Sequence, residues 1–156
     1  MPGVAPVLDQ LARLNIVQSL ATGNTPAVAR IKLSALRVGH QLDLKIGSYG
    51  TDSPLRPDLV KHAIDRATKH HGAIPGAVIV VGDTPWDMDA ACAHGAVAVG
   101  IATGAYTEEE LASSGARLAL PSLGTPQHRQ RLYRLLGIGG GLGTTRPGCA
   151  ATDAGQ

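Results

Sequence analysis

Two aspartates four positions apart, Asp83 and Asp87, stand where an apolar run gives way to a helical stretch, in Val78-Ile79-Val80-Val81-Gly82-Asp83-Thr84-Pro85-Trp86-Asp87. Carboxylates at a strand end and at the next helix start can hold a hard cation together. Mg²⁺ suits such a pair, because it takes one or two protein carboxylates and keeps several of its waters. The same residues also suit a purely structural role, since Asp caps helices and an acid in the first turn complements the helix dipole. A second polar turn, Thr22-Gly23-Asn24, offers a hydroxyl and backbone N–H groups ahead of a helix, which fits a phosphate or another oxyanion and equally fits simple capping. Between the two turns lies Arg56, followed by Pro57 and Asp58, where a cation could neutralise a phosphoryl group or face solvent.

Those turns need a scaffold that brings them together, and hydrophobic period supplies one. Val7, Leu8, Leu11 and Leu14 predict a helix, and the apolar run 16–21 a strand. Thr25 and Pro26 then open an amphipathic helix carrying Val28, Ile31, Lys32, Ala35 and Leu36. Alternation at Leu42, Leu44, Ile46 and Ser48 predicts a strand, and residues 53–58 open a long helix to about His71. Further strands are expected at 77–81, 97–101 and 117–120, with helices at 86–94, after the capping box begun by Thr107, and at 125–136. Strands alternating with helices predict an α/β fold, an open doubly wound parallel sheet, over residues 1–136, followed by a glycine-rich disordered tail at 137–156. In such sheets ligands bind outside the carboxyl ends of the strands, where the polar turns fall.

Composition narrows the function. The 156 residues carry 14 Lys and Arg against 12 Asp and Glu, a net charge of +2 that gives no electrostatic reason for a nucleic-acid or acidic-membrane partner. No apolar stretch approaches the roughly 20 residues that a membrane helix needs. Cys92 and Cys149, the two cysteines, make neither a metal quartet nor a disulfide framework, so the expected setting is cytoplasmic. His70 and His71 fall where cations favour a helix C-terminus, and the other histidines show no ligand spacing. Arg129, Arg131 and Arg134 read as a solvated helix face, and Trp86 as packing or as a shield beside the acidic turn.

Taken in order, Ser19-Leu20-Ala21-Thr22-Gly23-Asn24, Ala29-Arg30-Ile31-Lys32-Leu33, Gly47-Ser48-Tyr49-Gly50-Thr51-Asp52 with Arg56, and Val81-Gly82-Asp83-Thr84-Pro85-Trp86-Asp87 resemble the haloacid dehalogenase superfamily of hydrolases. The likeness is strongest to its phosphoglycolate-phosphatase-like branch. It runs from about Gly3 to Leu123 and includes Gly100-Ile101-Ala102-Thr103-Gly104 and Glu109-Glu110-Leu111. The resemblance implies Mg²⁺-dependent hydrolysis of a small phosphorylated substrate, with Thr22, Gly23, Asn24 and Arg56 on the phosphoryl group and Asp83 and Asp87 on the metal. Arg56 stands where many members have lysine, which keeps the charge and changes the donor geometry.

In that family an Asp-x-Asp motif at the end of an N-terminal strand supplies the nucleophile and the general acid. Met1-Pro2-Gly3-Val4 resembles the Pro-Gly-Val that opens the helix after that strand and the cap insertion, so both are expected to be missing. Asp9, Asp43 and Asp87-Met88-Asp89 offer no replacement, and no catalytic residue is assigned. The expectation is a phosphatase core that is inactive alone, or else a non-catalytic module binding Mg²⁺, phosphate or another protein. The missing strand would lie between those ending at Thr22 and Asp83. Its loss implies a gap of roughly 10 Å and two exposed sheet edges open to self-association or to a partner chain.

Overall fold

Threonine followed by proline opens three of the helices, and the local chemistry explains why. In Thr25-Pro26, Thr84-Pro85 and Thr125-Pro126 the hydroxyl accepts from the backbone N–H three residues on, while proline fills the first helical position, where no N–H is needed. Thr107 caps a fourth helix through a reciprocal box with Glu110. The computed structural model describes residues 3–138, so the predicted tail from 139 onward lies outside the described residues.

Chain order is α1 (Val4–Arg13), β1 (Ala21–Thr22), α2 (Pro26–Leu36), a 3₁₀ turn (Gly39–Gln41), β2 (Ser48–Tyr49), α3 (Arg56–His71), β3 (Ile79–Gly82), α4 (Pro85–Cys92), β4 (Val97–Ile101), α5 (Glu108–Ser113), β5 (Leu118–Leu120) and α6 (Pro126–Leu135). All strand pairs are parallel, as the alternating pattern predicts, but they form two ladders: β1–β2 and β3–β4–β5. Among the described residues β1 and β3 share no ladder, so two ladders stand in place of the expected single continuous layer.

The three-stranded ladder carries the main core, because β4 is buried along its whole length. On one face Val99 and Ile101 pack with Val7 of α1, Leu120, Leu123 and Leu132 of α6. On the other, Ala98 packs with Met88 and Ala91 of α4 and Leu111 of α5. Helices on both faces make this half doubly wound.

The β1–β2 half differs from expectation. The runs 16–21 and 42–48 yield only two-residue strands, and Ile16 and Val17 stay exposed. Isolated bonds still tie the two segments: the Asp43 N–H donates to Gln18 O at 2.8 Å and the Ser48 N–H to Leu20 O at 2.9 Å. A ladder needs continuous pairing, and β1 has it on one side only. This half is held instead by α3, which packs on β1, β2 and α4. A strut fixes it further: Arg66 of α3 donates to both oxygens of Asp52, at 2.9 and 3.0 Å, and to Gly47 O, while the Tyr49 N–H donates to Asp52 at 2.9 Å. No helix among the described residues is long and apolar enough to cross a membrane.

The Arg66 and Tyr49 bonds hold the Asp52 carboxyl at about 2, against an ordinary 3.8. A carboxylate whose folded pKa is depressed adds stability that is complete above its unfolded pKa and lost as pH falls through the folded one. Acid unfolding should steepen between about pH 4 and pH 2, and Asp52→Asn should flatten that limb while lowering stability at pH 7. Urea midpoints across pH 2–7 check this, and superimposable acid limbs would contradict it.

Candidate functional site

Each polar turn follows a strand. Gly23, one residue past β1, lies against Gly50, one residue past β2: a Cβ on Gly50 would come within 2.1 Å of Gly23 O. That approach also lets the Gly50 N–H donate to Asn24 O at 3.0 Å. Thr22 Oγ1 accepts from the Asn24 N–H at 3.2 Å and from Asn24 Nδ2 at 2.8 Å. With its lone pairs so used, the Thr22 hydroxyl keeps its proton for an outside acceptor. Lys32 Nζ reaches Asn24 Oδ1 at 3.1 Å, adding a cation that motif and spacing do not assign to this turn. A signal for it exists, since Lys32 lies seven residues after the Thr25 cap and so on the same helix face. Thr22, Gly23 and Asn24 thus come together as expected.

Asp87 and Arg56 also come together, but on each other. Asp87 is 5% exposed. Its Oδ1 accepts from Arg56 Nε at 2.7 Å and Nη2 at 2.6 Å. Its Oδ2 accepts from the N–H groups of Asp83 and Thr84, both at 3.2 Å, and from Thr84 Oγ1 at 2.9 Å. A carboxylate has about four lone-pair sites, so these donors saturate it. Asp87 therefore acts here as helix cap and ion-pair partner, and a cation there would first have to displace Arg56. Arg56 in turn donates to a carboxylate and is not free for a phosphoryl group. Gly82 makes the arrangement possible, since a Cβ there would lie 2.3 Å from Asp87 Cβ and 2.4 Å from Oδ2.

Asp83 is the reverse case. It is half-buried at the end of β3, its backbone N–H is committed to Asp87, and no donor among the described residues bonds its carboxylate. Gly104, in the loop after β4, faces it closely: a Cβ there would sit 2.7 Å from Asp83 Oδ2. Beside this space Trp86 stands edge-on to Tyr106, ring centroids 6.0 Å apart at 90°, and is 61% exposed. Of the two aspartates, Asp83 alone has oxygens open to a ligand. Asp9 accepts from Gln41 Nε2 at 2.6 Å within α1, and Asp89 is exposed on α4, so neither lies at a strand end.

A family model for haloacid dehalogenase-like hydrolases matches residues 1–95. No curated protein matches the sequence. Among solved structures, a hydrolase from Pseudomonas syringae is 28% identical, covering 85% of this chain and 59% of its own, with a TM-score of 0.67. A predicted phosphatase from Clostridium acetobutylicum is 20% identical, covering 85% and 59%, TM-score 0.67. A β-phosphoglucomutase from Clostridium difficile is 19% identical, covering 87% and 57%, TM-score 0.64. The last two likenesses support the fold alone. The chain thus spans under two thirds of the length of these structures.

Gly82→Ala should force the Asp87 carboxylate off its donors and cost about 2–4 kcal/mol, combining overpacking with a lost cap. Urea denaturation measures this, and a variant within about 0.5 kcal/mol of wild type would contradict the packing argument.

Proposed function

The chain belongs to the haloacid dehalogenase-like hydrolase family, and on that footing we propose that it carries the phosphate- and Mg²⁺-binding part of a phosphomonoesterase of the phosphoglycolate-phosphatase-like branch, acting on a small phosphorylated molecule. The observation that carries this reading is the Asp83 carboxylate: half-buried, at a strand end, without a donor among the described residues, and facing a glycine that leaves it room. A single hard oxygen ligand of this kind fits Mg²⁺, whereas Asp87 as placed does not. When bound, the metal neutralises charge on phosphoryl oxygens.

The chain's own residues divide the remaining work. The Thr22 hydroxyl, oriented by the two Asn24 donors, binds a phosphoryl oxygen, and Lys32 adds positive charge through its contact with Asn24. Arg56 is a positioning residue: it holds Asp87, which fixes the backbone of Asp83 and Thr84. None of the described aspartates forms an Asp-x-Asp pair at a strand end, since Asp87 and Asp89 lie within α4. The reading therefore gives these residues binding and charge stabilisation, not nucleophilic attack.

The split sheet favours a second reading, a module that pairs the free edges of β1 and β3 with a second copy or a partner chain. Partners of either kind are proteins or small phosphorylated ligands, since a net charge of +2 offers nothing to nucleic acid or membranes.

Mg²⁺ with inorganic phosphate should raise the melting temperature by about 5–10 °C at hundredfold saturation, and should leave Asp83→Asn unshifted. With p-nitrophenyl phosphate and Mg²⁺, neither wild type nor Asp83→Asn should hydrolyse the ester above the protein-free rate, because no nucleophile is assigned. No ligand-induced shift in wild type would contradict the phosphatase-type site, and concentration-dependent dimers in sedimentation would then favour the edge-pairing module.

A further inference from the structure

Away from the strand-end turns, one group of potential metal ligands stands out among the described residues: Asp43, His70 and His71, whose ligand atoms all lie within 4.8 Å of one another. We propose that these three side chains form a transition-metal site of the Zn²⁺ class that clamps the end of α3 to the loop before β2. Nothing in the phosphatase reading requires this site.

The argument starts with Asp43. Its backbone is pinned on both sides, the N–H donating to Gln18 O at 2.8 Å and the carbonyl accepting from Ser19 Oγ at 2.7 Å. One carboxylate oxygen, Oδ1, accepts from the Lys45 N–H at 2.9 Å. The other, Oδ2, faces His70 Nε2 at 3.9 Å, close for a shared ligand and long for a hydrogen bond. His70 and His71 end α3, where Gly72 turns the chain at φ 68°, and their rings stand edge-on with centroids 5.0 Å apart.

Two imidazole nitrogens and a carboxylate oxygen are a common donor set for Zn²⁺, which leaves a fourth tetrahedral position for water. Ligand atoms around a tetrahedral zinc lie roughly 3.4 Å apart, so the trio must close by about 1.4 Å at most. Both histidines are exposed and can swing that far without disturbing the core. The C-terminus of a sixteen-residue helix also favours a cation. Lys45 and Lys69, which line the adjoining depression with Ile46, Arg66 and His70, oppose it. Arg66 is already paired with Asp52, so the two lysines set the remaining penalty.

The test uses the full chain, freed of metal with a chelator and held in excess Mg²⁺ so that Asp83 does not contribute. Titration with Zn²⁺ by calorimetry and with Co²⁺ by visible absorption should show one site, with intense tetrahedral Co²⁺ bands. Zn²⁺ should also raise the melting temperature by about 5 °C. Asp43→Asn, which keeps the Oδ1 acceptor for Lys45, and His71→Ala, at an exposed position, should each weaken binding at least roughly tenfold and abolish the bands. Absence of binding below millimolar Zn²⁺, or binding unchanged in both variants, would overturn the proposal.

Discussion

The ion pair between Arg56 and Asp87 is the constraint on which the rest of the molecule turns. It joins the first residue of α3, the helix that carries the β1–β2 ladder, to the first turn of α4, the helix packed on β3 and β4. No strand ladder among the described residues does this job, because β1 and β3 are not paired. The Asp87 side chain is only 7% exposed, so taking Arg56 away would leave a buried carboxylate with backbone and hydroxyl donors but no counter-charge. Breaking one side of such a pair costs about 3–5 kcal/mol, far more than an exposed pair contributes.

That single contact explains why the two polar turns behave so differently. The Thr22 turn is built from small residues and local bonds, with Gly23 and Gly50 backbones pressed together, and its hydroxyl proton stays available. The Asp83 turn is built around a saturated acid, Asp87, whose bonds orient the backbone and leave the neighbouring Asp83 carboxylate open. Ligand-binding capacity on the second turn is thus a by-product of structural capping on its partner residue. Glycines at 82 and 104 are what keep both acids in place, since a methyl group at either would strike a carboxylate oxygen.

Much of this is legible in the sequence, and the reasons are local. Thr-Pro pairs and the Thr107 box mark helix starts through chemistry confined to four residues, and the apolar runs at 79–82 and 97–101 form adjacent strands of one ladder, the second buried along its whole length. The runs 16–21 and 42–48 read as longer strands than they are because period reports apolar character, whereas a strand exists only with a paired neighbour, and here pairing covers two residues. Site residues follow the same division. Thr22, Gly23, Asn24 and Asp83 are recognisable from type and position, but the mutual commitment of Arg56 and Asp87, 31 residues apart, depends on tertiary geometry. Lys32 and the meeting of Asp43 with His70 and His71 are likewise contacts across the fold, which spacing along the chain does not reveal.

A double-mutant cycle on Arg56→Met and Asp87→Asn, read by urea denaturation, tests the central claim most directly. The account predicts a coupling energy of about 3 kcal/mol, with the two single variants each losing nearly as much as the pair. Additive losses, within about 0.5 kcal/mol, would mean that the two ladders are held together by something other than this ion pair.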